Sequence, residues 1–234
     1  MNWEFRMKHR YSKRKRTICF FIGLALCGFG VALSTVPALG TSPISSLPYV
    51  LTFIVPFSLG VWTIISNTIF LLAQIAILKK EFQWFQLSQM IAVVIFGLFI
   101  DLGMWFSSFY IPENYWLRIL EQLLGCAVLA FGIVLELIAD ITYLPGEGLV
   151  KAIAYHWKLN FGKVKICFDS TLVCLAILVS LFGTGTISGV REGTVIAAFA
   201  VGYLVRLYRR PSRALKLTLV KKYPSGLASA AHTV

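Results

Sequence analysis

Apolar residues run along this chain in long blocks broken by brief polar punctuation, and the punctuation occurs twice. Phe29-Gly30, Leu33, Pro43, Leu47 and Gly60 recur 102 positions later as Phe131-Gly132, Leu135, Pro145, Leu149 and Gly162. The pattern predicts a duplicated membrane unit. A spanning helix needs about 20 mostly apolar residues, and six stretches supply them: 17–36, 60–78, 86–108, 117–139, 163–183 and 190–208. Two shorter stretches, 43–56 and 145–158, follow the repeat prolines and are too short to cross comfortably.

The short stretches leave two topologies in competition. If they cross, each copy has four passes and the copies are parallel. If they dip in and return, each copy has three passes and the copies are inverted. With the basic N-terminus inside, three passes put Lys79-Lys80 inside, the Pro112-Glu113-Asn114 turn outside, Lys158, Lys163 and Lys165 inside, and the Arg-rich C-terminus inside. Every basic cluster then obeys the positive-inside rule. The sequence thus predicts an all-α polytopic membrane protein with two pseudo-symmetric repeats, about six spanning helices and two short re-entrant or half-length helices. Eight shorter passes are the alternative. The expected segments are a basic cytoplasmic tail (1–16), a first repeat (17–108), a linker (109–116), a second repeat (117–208) and a basic cytoplasmic tail (209–234).

Composition agrees with this reading. Apolar residues make up 58% and charged residues 14%, outside the range of water-soluble chains. The net charge of +12 would suggest nucleic acid until its location is considered. Between Thr17 and Val205 the eight basic and nine acidic residues nearly cancel, so the excess lies in the tails. There it orients the chain and attracts anionic lipid headgroups. No nucleic-acid partner is expected, because no globular module remains to hold one. Cys19, Cys27, Cys126, Cys167 and Cys174 form no CxxC pair and read as small membrane-embedded hydrophobes; His9, His156 and His232 are too dispersed for a metal site.

The chemistry clusters at the two interruptions. Backbone that breaks its helix at membrane depth must be packed in protein or line a wet cavity. At Gly40-Thr41-Ser42-Pro43, Gly permits a sharp turn, Thr41 and Ser42 are expected to accept bonds from the NH groups of the following helix, and Pro43 suits its first turn. The second break, Tyr143-Leu144-Pro145-Gly146-Glu147-Gly148, puts a carboxylate where the helix dipole favours one. Glu136 and Asp140 are four apart on one helical face just before it, so three acids surround this break and suit a cation or a proton relay; the alternative is an interfacial helix end with Lys151 and Lys158 as partners. Asp169-Ser170 matches Asn67-Thr68 at the same offset of 102, as a polar layer or as interhelical glue. Asp101 and Glu121 are expected near the membrane surface. Arg191, Glu192, Gly193 and Thr194 open the last span and read as capping and packing residues.

The run Gly40-Thr41-Ser42-Pro43-Ile44-Ser45-Ser46-Leu47-Pro48-Tyr49, the following Leu59-Gly60, and Arg191-Glu192-Gly193-Thr194-Val195 resemble the bacterial YczE/YitT-like integral membrane proteins over residues 17 to 210. The second copy departs from that group's Gly-Pro-Arg-Asp-Gly pattern, with Leu144-Pro145-Gly146-Glu147-Gly148 in its place. The resemblance implies a multi-pass protein of the bacterial cytoplasmic membrane. No nucleophile elbow, HExxH, GxGxxG or phosphate loop is present, so an enzyme, a cofactor and a metal are not expected. The expected function is a transporter or permease for a small solute or ion, with Thr41, Ser42, Pro43, Asn67, Glu136, Asp140, Pro145, Glu147 and Asp169 lining its site. The alternative is a non-transporting accessory or regulatory membrane protein.

Overall fold

The computed structural model describes residues 13–109 and 112–219, and most of the two basic tails lies outside them. Among the described residues there are eight α-helices and no strand: α1 (Lys13–Thr35), α2 (Pro43–Thr52), α3 (Leu59–Leu78), α4 (Gln89–Ser107), α5 (Tyr115–Ala139), α6 (Pro145–His156), α7 (Phe161–Thr184) and α8 (Glu192–Leu219), with two 3-10 turns between α3 and α4. Five of them, α1, α3, α4, α5 and α7, are long and apolar enough to cross a membrane. α8 is longer, but its second half carries Arg206, Arg209, Arg210, Arg213 and Lys216.

Helix boundaries follow from local chemistry. Pro43 and Pro145 both occupy the first turn of their helices, where the missing NH would have no intrahelical partner. Ser58, Asn114 and Asn160 cap α3, α5 and α7 with their side chains, accepting from Val61 N, Trp116 N and Gly162 N. After α1 the chain turns through Ala38, and after α5 through Asp140, each with a positive φ, of 57° and 46°. These two residues are again 102 apart, as are the starts of α2 and α6 and of α3 and α7.

Small residues determine how the helices meet. α1 and α5 cross antiparallel as the central pair: Arg16 reaches Ala139 O at one end, Gly23 faces Glu136, Gly30 abuts the Leu129 backbone, and Gly125 abuts Ser34 at the other end. Glycine at such contacts lets two backbones approach within van der Waals range, which is how helices bind one another where no hydrophobic effect drives them. Leu24 and Val31 of α1 and Cys126, Ala130 and Val134 of α5 are buried. α4 lies along α1, with Gly28 against Phe99 and Gly103 against Ala32. α8 lies along α5, where Phe131 and Tyr208 stack edge-on at 5.9 Å. The short helices pack mainly on helices distant in the chain, α2 on α7 and α6 on α3. α3 and α4 join through Gly60 and Gly97, whereas α7 makes no comparable contact with α8.

Candidate functional site

The starts of the two half-length helices meet. The Ile44 side chain rests on Gly146, with Phe70 of α3 beside them. Around this contact Phe70, Leu149 and Leu172 form a small apolar cluster closed by Ile44, Leu47 and Phe168. Phe70 and Phe168 stack edge-on at 5.3 Å.

At the first break Gly40 has φ of 111°, a conformation that suits only glycine, and the residues after it are deeply buried. Thr41 is fully buried and accepts a hydrogen bond from the Thr35 hydroxyl at 2.8 Å; Ser42 donates to the Ser45 hydroxyl at 3.0 Å. The expected capping therefore does not occur, since Ser42 is the N-cap residue of α2 but its side chain takes no backbone NH. Its hydroxyl is diverted to Ser45, and the Ser45 NH bonds the Ser42 carbonyl instead.

The second break carries the acids. Glu136 projects from α5 between Gly23 and Cys27 of α1; the Cys27 thiol contacts its carboxyl, Glu147 lies within electrostatic range, and Glu136 Oε1 is buried with no hydrogen-bond partner among the described residues. Asp140 behaves differently. It is exposed in the left-handed turn, its carboxylate accepts from Tyr143 OH at 3.4 Å, and Arg16 donates to the carbonyls of Ala139 and Asp140. Arg16 thus satisfies the open carbonyl end of α5, where the helix dipole favours a cation. Lys151 sits over the Tyr143 ring.

The matched pair in α3 and α7 is turned inward on its own helices. Asn67 Nδ2 donates to Thr63 O at 2.9 Å, and Asp169 pairs with Lys165 at 2.7 Å, each a contact with the residue four earlier. Asp101 accepts from Gly60 N at 2.7 Å and from Ser58 Oγ at 2.6 Å, closing the start of α3. Arg191 and Glu192 form an exposed ion pair at 3.1 Å, and Arg191 also reaches the Ala38 carbonyl.

Two buried glutamines escape a reading of the sequence. Gln74 on α3 is 1% exposed and donates to Pro145 O at 2.9 Å and Gln89 Oε1 at 3.4 Å. Gln122 on α5 is also 1% exposed, and its amide lies on Gly193, whose NH bonds Leu39 O at 2.8 Å. Single polar residues in apolar helices are no guide to burial until the partner helices are known.

A model built for a family of unknown function (DUF6198) matches residues 14–210. This chain belongs to that family. Over 190 residues, 80% of this chain and 82% of the relative, it is 26% identical to the "Uncharacterized membrane protein YczE" of Bacillus subtilis (strain 168). No solved structure matches. The family and the apolar helices make this a YczE-like membrane protein.

Proposed function

We propose that this protein is a secondary permease for a small solute or ion, built from two inverted halves, α1–α4 and α5–α8. The observation that carries the reading is the antiparallel crossing of α1 and α5, together with the Ile44–Gly146 contact between the two half-length helices. Helices at equivalent places in two parallel copies would not run in opposite directions; in inverted copies they do. In this reading α8 is the sixth crossing, α2 and α6 start near mid-membrane, and the Lys79-Lys80 turn, the Lys158–Lys165 segment and both tails face the cytoplasm of a bacterial cell. The tails then lie on anionic headgroups.

Discontinuous helices meeting between inverted repeats are the usual place for a transport site, because their unpaired backbone ends can face a solute. Here the second break adds Glu136 and Glu147. An ionisable group inside a bundle is rarely retained without a role, and a buried carboxyl with a second one within electrostatic range suits a coupling cation or proton. The site comprises Glu136, Glu147, Pro43, Pro145, Thr41 and Ser42; Asp140 lies at its edge, and Asn67 and Asp169 flank it from α3 and α7.

Flux into proteoliposomes tests the proposal, with a panel of labelled monovalent cations and small organic solutes and with pH-driven uptake. Wild-type protein moves at least one of these, and Glu136→Gln reduces the rate at least tenfold with an unchanged melting profile. Full flux in a folded Glu136→Gln protein, or none for any probe with wild type, contradicts it.

A further inference from the structure

The first break has its own unmet chemistry, separate from the acids. Gln122 and Thr194 are 1% and 2% exposed, and Nε2 and Oε1 of Gln122 and Oγ1 of Thr194 have no hydrogen-bond partner among the described residues. They converge. The Gln122 amide lies against Gly193, the Thr194 hydroxyl lies against Gly40, and the Gly193–Leu39 hydrogen bond ties the two segments together. The fully buried Thr41 hydroxyl follows Gly40 directly, and Tyr115, Arg191 and Glu192 form the exposed rim, with Tyr115 OH on Glu192 Oε1 at 3.4 Å.

The other break shows what a structural glutamine looks like in this fold. Gln74, equally buried, spends its amide NH on Pro145 O and Gln89. Gln122 has no such bond, and a buried amide with both donor and acceptor unmet calls for a partner. The chemistry of that partner is constrained. Nε2 needs an acceptor and Oε1 needs a donor, while a hydroxyl stands ready for either role. A bare cation would satisfy Oε1 and leave Nε2 unmet; an anion would do the reverse. The NH groups of Gly193 and Thr194 at the start of α8 are already bonded, to Leu39 O and Arg191 O, so the helix end offers an anion little.

We infer that Gln122, Thr194 and Thr41 form a binding site for a small neutral molecule bearing both a hydrogen-bond donor and an acceptor, either water or a hydroxyl- or amide-bearing solute. This rests on the permease reading and names the substrate class at the first break, with the acids at the second break serving the coupling ion. Glycine at 40 and 193 lets the Thr194 hydroxyl and the Gln122 amide lie directly against the backbone, since a methyl at either would strike Thr194 Oγ1 or the Gln122 amide.

Stopped-flow light scattering of proteoliposomes tests the site, with inward gradients of glycerol and of acetamide and a sucrose gradient reporting water alone. Wild-type protein passes at least one of the three at least tenfold faster than protein-free vesicles, and the gradient that responds separates water from organic solute. Gln122→Leu brings the rate to within twofold of protein-free vesicles. Thr194→Val, nearly the same size and shape, lowers it at least threefold and serves if Gln122→Leu does not fold. Wild-type rates equal to protein-free vesicles for all three probes overturn the inference, as does undiminished flux in a folded variant. Ion flux without neutral flux refutes this site alone and leaves the permease standing; no flux of any kind refutes both.

Discussion

Ile44 and Gly146 stand 102 positions apart at equivalent points of the repeated punctuation, and they touch. Each is the second residue of a half-length helix that opens with proline. A contact between equivalent residues is what a two-fold relation would place on its axis, so in the proposed permease this pair marks the joint between the two halves.

That joint should be sensitive to one methyl group. A Cβ on Gly146 runs into the Ile44 side chain, and overpacking of this sort costs about 1–3 kcal/mol. Gly146→Ala is expected to lower the melting temperature in detergent, and Ile44→Val in the same protein to restore part of the loss. Equal melting of the single and double variants would show that the two residues are not coupled.

The α1–α5 seam makes a sharper comparison. A Cβ on Gly30 meets the backbone of Leu129, which cannot rotate away, whereas a Cβ on Gly202 meets nothing within 4 Å. Gly30→Ala should destabilise by about 1–3 kcal/mol, and Gly202→Ala should stay within about 0.5 kcal/mol of wild type. Thermal unfolding followed by tryptophan fluorescence reads both.

Asp101 illustrates a carboxylate with a structural task. It bonds Gly60 N and Ser58 Oγ at the start of α3, and loss of a helix cap costs about 0.5–2 kcal/mol. Asp101→Ala should therefore lower stability by that amount and leave any flux rate per folded protein unchanged. Loss of flux in a stably folded Asp101→Ala protein would place the residue in the transport path instead.

Gln74→Leu separates the two breaks. It removes the bond to Pro145 O and leaves the buried Gln89 Oε1 without its donor, which costs about 1–3 kcal/mol. The expected result is a lower melting temperature with retained neutral-solute flux, opposite to Gln122→Leu.

Much of the architecture was legible in the chain because proline and glycine act locally. Pro43 and Pro145 each follow a turn and fit a first helical turn, and both helices begin at these residues. Side-chain partnerships were not legible in the same way. Ser42 was expected to cap α2 but is bonded to Ser45, a partner one turn on inside the same helix. Asn67 and Asp169 match in sequence yet serve their own helices, because Thr63 O and Lys165 lie one turn away and outcompete any distant partner. Gln122 gave no signal at all. Its burial depends on Gly193, 71 positions later in the chain, arriving beside it. Cys27 read as a small hydrophobe, and it is buried as one, but its thiol also faces Glu136 across the seam.

In the proposed permease two inverted halves move about the helix breaks to carry a solute. Paired cysteines at Ile44 and Gly146, in a background freed of native cysteines and with each single variant as a control, test it most directly. Oxidation is expected to cross-link the pair and stop flux, and dithiothreitol to restore it. A folded protein that does not cross-link, or one that is fully cross-linked and still transports at the reduced rate, would contradict it.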